Sequence, residues 1–163
     1  ALKSNTTASG NTAVGYQAGY SNTTGSSNSF FGYQAGYSTT GSNNTYLGYQ
    51  NGIFASSGSY NTGVGAGVFT SGSLGSNNTA LGYLALAQNT VSNNTGVGYS
   101  ALTVNSTGVE NTAIGGIALT ANTTGQYNTA CGRAAGAGVT TGQENTFLGW
   151  NAGNYYAAVT TGS

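Results

Sequence analysis

The chain has 163 residues, and only four of them are charged: Lys3, Glu110, Arg133 and Glu144. Histidine, aspartate, proline and methionine do not occur. So few charges exclude electrostatic attraction to nucleic acid or anionic lipid, and a chain without histidine or aspartate lacks the usual bases of catalysis. We therefore predict a protein that is not an enzyme, holds no cofactor or metal and binds no nucleic acid.

The low charge does not make this chain a disordered linker or a membrane span. No apolar run approaches the roughly 20 residues that cross a bilayer, so we predict no membrane insertion. Glycine, serine and asparagine are abundant, as in flexible linkers, but aliphatic and aromatic residues recur between them in strict register. That register predicts an ordered, repetitive fold.

The first ten residues match the second half of a repeat. The opening Ala1–Thr7 corresponds to 118–124 later in the chain. We predict a partial coil over residues 1–10, and we expect the chain to be a processed product or a segment of something longer.

From residue 11 onward one motif, Asn-Thr(or Ser)-x-apolar-Gly, recurs nine times at intervals of 16 or 17 residues. It begins at Asn11, Asn28, Asn44, Asn61, Asn78, Asn94, Asn111, Asn128 and Asn145. A short and regular period means that each repeat is one coil of a stacked structure. We predict a single domain of nine coils over 11–163, in which the last coil, 145–163, is atypical.

Within each coil, Thr-x-apolar predicts a short strand in which the threonine and the apolar residue share one face. The next residue is always glycine, which indicates a bend or a close backbone approach. These glycines are Gly15, Gly32, Gly48, Gly65, Gly82, Gly98, Gly115, Gly132 and Gly149. A second apolar element near Ala18 and its equivalents predicts a second strand, and polar corners such as 122–125 predict turns. The expected fold class is all-β, a narrow parallel β-solenoid or β-roll.

Stacking would convert each repeated position into a ladder. We expect the leading asparagines to pass side-chain amide hydrogen bonds from coil to coil, and the strand threonines to do the same with hydroxyls. Cys131 occupies an aliphatic position of the strand, which predicts a buried thiol.

The thin coils predict self-assembly. The middle strand residues are small or aromatic and uncharged, as at Ala13, Phe30 and Tyr46. If both faces of the strand are buried, the face formed by these middle residues packs against other copies of the chain. We therefore expect a homotrimer, an end-to-end polymer or both. In the last coil, Tyr155 and Tyr156 predict a lateral contact or a partial lid.

Aromatic residues follow the bend glycine in six coils. They are Tyr16, Tyr33, Tyr49, Tyr83, Tyr99 and Trp150. The favoured interpretation is packing between chains, and the alternative is a stripe that stacks on cell-surface carbohydrate.

Two further alternatives concern the polar surface. Asn-x-Ser/Thr sequons begin at Asn5, Asn22, Asn43, Asn77, Asn93, Asn105 and Asn122. Turn chemistry explains them, and glycosylation is the alternative. A threonine row on a flat solenoid also suggests ice binding, although a Thr-x-Thr pattern would favour it more.

The phrases Asn11–Gly19 and Ala1–Thr7 resemble the repeats of bacteriophage tail-fibre proteins and, more loosely, the head repeats of trimeric autotransporter adhesins. The resemblance covers essentially the whole chain. It implies a left-handed, homotrimeric β-roll outside the cell, on a cell surface or on a virion, and a role as a structural or adhesive fibre segment. The 16- or 17-residue coils are longer than is usual for adhesin heads.

Overall fold

The computed structural model describes residues 1–154. This part contains nine β-strands and no helix. The strands are β1 Thr12–Val14, β2 Ser29–Phe31, β3 Thr45–Leu47, β4 Thr62–Val64, β5 Thr79–Leu81, β6 Thr95–Val97, β7 Thr112–Ile114, β8 Thr129–Cys131 and β9 Thr146–Leu148. Tyr155 and Tyr156, for which a contact or lid was predicted, lie outside the described residues.

All nine strands form one parallel sheet in sequence order, β1 to β9. Each strand pairs with the next at equivalent positions, for example Thr12 with Ser29 and Val14 with Phe31. Parallel strands need a crossover connection, and here the rest of each coil provides it. The prediction of an all-β parallel solenoid is confirmed, with about eight turns.

The predicted second strand of each coil is wrong. The residues around Ala18 form a turn, because the positions on either side of that alanine take left-handed backbone angles, with φ of 53° at Gln17 and 60° at Gly19. A strand cannot continue through such angles. The turns still stack: the Gly19 amide donates to the Ala35 carbonyl oxygen at 2.9 Å, and the Leu119 amide donates to that of Ala135 at 3.0 Å.

The bend glycines turn the chain and also bring neighbouring coils together. Their φ values run from 106° to 140°, a range that L-residues rarely adopt. A Cβ added to Gly48 would lie 2.3 Å from the Gly65 carbonyl oxygen in the next coil. No side chain fits there, because the obstacle is backbone.

The middle strand residues form the core of a single chain. Phe30, Tyr46, Ala80 and Ala113 are completely or almost completely buried. The expectation that this face packs against other copies is therefore wrong. Alternate strand residues point to opposite faces, and the inward face is closed by the turn of the same coil, which lies across the narrow interior.

Candidate functional site

The opposite face of the sheet is open to solvent, and we call it the outward face. It has a row of hydroxyl side chains and a row of apolar side chains, one of each per strand. The hydroxyl row is Thr12, Ser29, Thr45, Thr62, Thr79, Thr95, Thr112, Thr129 and Thr146. The apolar row is Val14, Phe31, Leu47, Val64, Leu81, Val97, Ile114, Cys131 and Leu148. Because every strand pairing is in register, both rows run straight along the solenoid.

The apolar row is far more exposed than such side chains usually are. The exposed fraction is 57% for Val14, 48% for both Leu47 and Leu81, and 78% for Leu148. No charged side chain belongs to either row. A contiguous apolar surface of this kind marks an interaction site in soluble proteins.

Cys131 lies in this apolar row and is exposed. The predicted buried thiol is wrong, because the prediction took the aliphatic face of the strand for the inner face. The exposed thiol instead offers a site for chemical labelling on the outward face.

The strand threonines do not form the predicted hydroxyl ladder. Among the hydrogen bonds of residues 1–154, none comes from the side chain of a threonine in a strand. Their hydroxyls are directed to solvent together with the apolar row.

The residues after the bend glycines form a second surface feature, which we call the tyrosine column. All six aromatics predicted there are exposed, with fractions from 44% at Tyr33 to 73% at Trp150. Where consecutive coils carry tyrosine, the rings stack: Tyr16 on Tyr33 at 5.1 Å between centroids, and Tyr33 on Tyr49 at 5.4 Å. Ring faces inside such a stack are covered by their neighbours, so a sugar reaches only a face where the stack is interrupted.

A smaller aromatic pair lies near the N-terminus and was not predicted. Tyr20 stacks on Tyr37 with centroids 5.2 Å apart, and Lys3 Nζ donates to the Tyr20 hydroxyl at 3.1 Å. That hydrogen bond raises the pKa of Lys3 above its ordinary value. The sequence signal was a tyrosine nine residues after the leading asparagine in both coils.

The leading asparagines act mainly on the backbone. Asn28 Nδ2 donates to the Gly41 carbonyl oxygen at 2.9 Å, which closes its own coil, and Asn28 Oδ1 accepts from the Asn44 amide at 2.8 Å, which joins the next coil. Direct amide-to-amide bonds were expected throughout and occur at only a few positions, such as Asn128 Nδ2 to Asn111 Oδ1 at 3.1 Å. Each leading asparagine from Asn11 to Asn128 therefore both closes its own coil and sets the register of the next.

A side-chain amide ladder exists at a different position, the polar corner. Asn105 Nδ2 donates to Asn89 Oδ1 at 2.7 Å, and Asn122 Nδ2 donates to Asn105 Oδ1 at 3.0 Å. Asn22 holds the same corner position and closes its turn through the Gly25 carbonyl oxygen at 2.8 Å.

The seven sequon asparagines differ in how deeply they are buried. Asn22, Asn105 and Asn122 are completely buried, so a glycan on any of them would require the corner to open. Asn5 is partly buried, and Asn43, Asn77 and Asn93 are exposed. The exposed three have φ between 60° and 65°, which asparagine adopts more readily than most residues.

Two other ladders were missed in the sequence. Serines two positions before the leading asparagine accept from the preceding coil, as where the Ser26 amide donates to Ser42 Oγ at 3.0 Å. Glutamines two positions after the bend glycine form a chain of amides: Gln34 Nε2 to Gln17 Oε1 at 2.9 Å, and Gln50 Nε2 to Gln34 Oε1 at 3.0 Å. The recurrence of serine and glutamine at fixed offsets was the available signal.

A cleft of about 700 Å³ lies near the C-terminal coils, between Arg133, Val139, Trp150 and Asn154. Its lining includes Asn154, the last described residue, and we assign it no function. Within residues 1–154, no three His, Cys, Asp or Glu side chains gather as metal ligands would. In the same part of the chain, no helix is long and apolar enough to span a bilayer.

Comparison with known proteins adds no relatives. No protein-family model matches the chain, no curated protein matches it, and no solved structure matches it. The functional argument therefore rests on the outward face and the tyrosine column.

Proposed function

We propose that this chain is a non-catalytic structural or adhesive fibre segment. It works as a homotrimer outside the cell, on a cell surface or on a virion, and its copies pack through the outward face. One observation carries the proposal: the outward face is an uncharged apolar row nine strands long that a single chain leaves in water.

The apolar row of the outward face is long enough to support stable association with a partner. Partial burial of one apolar side chain contributes roughly 1 kcal/mol, and association costs about 4–15 kcal/mol in lost motion and ordering. Nine side chains together are of the same order as this cost, so a stable complex needs most of the row.

A second copy of the chain is the partner that matches this face best. Its rows have the same spacing from coil to coil, so every strand meets an equivalent strand. A closed ring of copies around an axis parallel to the stack covers every outward face and leaves none for further growth. The three-fold symmetry and the left-handed winding come from the resemblance to tail-fibre and adhesin repeats.

The mechanical role follows from the ladders. Asparagine bonds join every pair of neighbouring coils from Asn11 to Asn145, and serine and glutamine bonds reinforce several of these pairs, which makes the segment a stiff rod. Weak contacts repeated along such a rod add up by avidity.

The oligomeric state tests the proposal. Native mass spectrometry at micromolar concentration should give a trimer, and a monomer would overturn the proposal. Leu81→Glu places a charge on the outward face and should convert the trimer to a folded monomer. Tyr60→Glu is the matched control, since Tyr60 is exposed and Glu110 and Glu144 occupy the same register in later coils; it should leave the trimer intact.

Cys131 gives an independent readout. In a trimer built through the outward face, a maleimide should label the thiol slowly, and Leu81→Glu should raise the labelling rate. If wild type is labelled as fast as the folded variant, the copies associate through another surface. Electron microscopy of the same sample separates short rods from long fibres, which would indicate end-to-end stacking into a filament.

Ice binding is the second candidate, and the exposed threonine row favours it. The strand hydroxyls have no protein partner among the described residues, and they lie in a straight row at coil spacing. This activity needs the outward face open, so it belongs to a monomer. Thermal hysteresis equal to that of buffer would remove it.

A further inference from the structure

The tyrosine column lacks a ring at one coil in its middle. Tyr49 and Tyr83 hold the column position two coils apart, and Ala66 holds it between them. Tyr49 stacks on Tyr33, and Tyr83 stacks on Tyr99 at 5.9 Å between centroids. One face of each flanking ring is therefore covered, and the other is turned toward the empty coil. This is where the stack is interrupted and ring faces are accessible.

The gap has a defined width. Column rings one coil apart have centroids 5.1–5.9 Å apart, so two coil steps place the Tyr49 and Tyr83 centroids at about twice that distance, roughly 10–12 Å. Stacked pairs in the column lie within 17° of parallel, so the two flanking rings face each other. A flat aromatic ring between them would make two van der Waals contacts of about 3.5–4.0 Å, about 7–8 Å in all, which leaves at least about 2 Å unfilled. A saturated ring, with hydrogens on both faces, takes up that extra thickness.

The floor of the gap is small, and its edge carries an acceptor. Ala66 and Gly67 form the floor, and a Leu84 methyl lies beside Gly67, 2.8 Å from where a Cβ would be. The glutamine ladder runs from Nε2 to Oε1 and ends at Gln50. Gln50 Oε1 is thus the last acceptor in the ladder, and the coil beyond it has glycine at that position.

Charge narrows the ligand class. The sequence has no charged residue between Lys3 and Glu110, so several coils on either side of the gap are neutral. A charged ligand would lose hydration there without gaining a partner. A neutral ring with apolar faces and hydroxyl groups on its rim matches two tyrosine faces and one amide oxygen.

We propose that the gap at Ala66 binds one neutral pyranose ring between Tyr49 and Tyr83, with a sugar hydroxyl donating to Gln50 Oε1. The site rests on the proposed adhesive function and gives it a ligand class.

Saturation-transfer NMR on the full chain tests the site. The probes are the methyl glycosides of glucose, galactose and N-acetylglucosamine, with p-cresol as a flat aromatic ring of similar size. Wild type should transfer saturation to the ring methine protons of at least one glycoside, with a Kd in the millimolar range. Absence of transfer to all three would overturn the proposal, and so would tighter binding of p-cresol at the same gap.

Matched variants locate the binding. Ala66→Tyr supplies the missing ring, as in five other coils, and should weaken glycoside binding at least about tenfold. Gly116→Tyr fills the other open column position, where a Cβ meets nothing within 4 Å, and should leave the Kd unchanged. Tyr83→Ala removes one wall and should weaken binding while circular dichroism stays that of wild type. Unchanged affinity in a folded Ala66→Tyr variant would overturn the site.

Oligomeric state measured on the same samples separates this proposal from the previous one. A monomer that binds glycoside overturns the trimer and leaves the site standing. A trimer that binds none of the glycosides overturns the site and leaves the fibre function standing.

Discussion

In two regions of the solenoid, the large side chain that fills the interior comes from opposite sides of the coil. One region uses the strand and the other uses the facing turn. In the coils 28–43 and 44–60 the strand supplies an aromatic ring, Phe30 or Tyr46, and the facing turn supplies glycine. In the coils from 61 to 127 the strand supplies only glycine or alanine, and the turn supplies the large side chain. The residues of that second arrangement are Phe69, Leu86, Leu102 and Leu119.

The difference shows that, in each of these coils, the space between the middle strand residue and the facing turn residue takes one large side chain. A Cβ on Gly52 would lie 2.4 Å from the Tyr46 ring, so a large residue on both walls cannot fit. Leu86, Leu102 and Leu119 have left-handed φ values of 47° to 51°, in the same region as the 62° and 64° of the glycines at this position in the other coils. That angle costs a leucine about 1–2 kcal/mol, which the burial of its side chain offsets. The backbone therefore has the same conformation in both regions, and only the position that supplies the large buried side chain differs.

The largest expected effect comes from a substitution at a bend glycine, a feature that both regions share. Gly48→Ala would place a methyl 2.3 Å from the Gly65 carbonyl oxygen at a φ of 137°. We expect the free energy of unfolding to fall by at least about 4 kcal/mol, because no side chain can move aside. Urea unfolding followed by circular dichroism measures it. Gly116→Ala, where a Cβ meets nothing, is the control and should change stability by less than about 0.5 kcal/mol.

The next prediction converts one region into the other. Tyr46→Ala should cost about 3 kcal/mol through the cavity it leaves, and Gly52→Leu alone should cost about 2 kcal/mol by overpacking against the Tyr46 ring. The double variant reproduces the arrangement of 78–93 and should recover at least about 2 kcal/mol of the summed loss. Strictly additive losses in the double-mutant cycle would contradict the shared interior.

The asparagine ladder should matter more than the corner ladder. Asn111→Ala removes the bond to the Gly125 carbonyl oxygen at 2.8 Å and leaves the Asn128 amide unpaired. The Asn128 amide is then buried without a partner, whereas the Gly125 carbonyl oxygen keeps the hydrogen bond from Asn122 Nδ2 at 2.9 Å, and we expect a loss of about 2 kcal/mol. Asn105→Ala should cost only about 1 kcal/mol, since Ala55 holds that corner position in the first region. An equal loss in urea unfolding would mean that the corner amides carry as much as the leading ones.

Tyr46 also makes the first region sensitive to high pH. Its hydroxyl lies beside Asn61 without a well-formed hydrogen bond, and burial raises its pKa above the ordinary value. The folded state thus favours the neutral phenol, so stability is complete below the unfolded pKa of about 10 and falls as pH rises above it. Tyr46→Phe should change stability by about 1 kcal/mol or less at pH 8. Its advantage over wild type should grow by up to about 1.4 kcal/mol per pH unit above about 10. A constant difference between urea midpoints across that range would contradict a buried phenol.

The smallest effect concerns the tyrosine column. Tyr33 stacks on two neighbours, whereas Tyr83, across the gap, stacks on one. Tyr33→Ala should cost about 1 kcal/mol and Tyr83→Ala about half of that. Equal unfolding midpoints for the two variants would show that the second stacking contact of Tyr33 adds nothing to stability.

Much of the architecture could be predicted from the repeat alone. Nine motifs at a nearly constant interval specified parallel stacking, because equivalent residues of successive coils must meet. Period two within Thr-x-apolar also grouped the threonine and apolar residues on one face. What the period could not say was which face is inner, and two errors followed: Cys131 was assigned to the interior, and the row containing Tyr46 was assigned to an interface.

The candidate site was predicted only in part. The six aromatics after the bend glycines were identified by position, but the importance of Ala66 was not. An alanine carries no chemical signal by itself, and its meaning depends on the rings of Tyr49 and Tyr83 stacking away from it on either side. The buried sequons Asn105 and Asn122 were equally opaque, because a surface turn and a buried amide ladder have the same local sequence.

The sequence by itself determined the coil period, the parallel register and the bend at each glycine, since those depend on which residues recur and on the backbone angles they allow. Only the tertiary structure decided the direction of each face, the wall that fills each coil and the place where the tyrosine stack opens. These depend on how wide the closed coil is and on what lies across it, and a linear pattern contains neither.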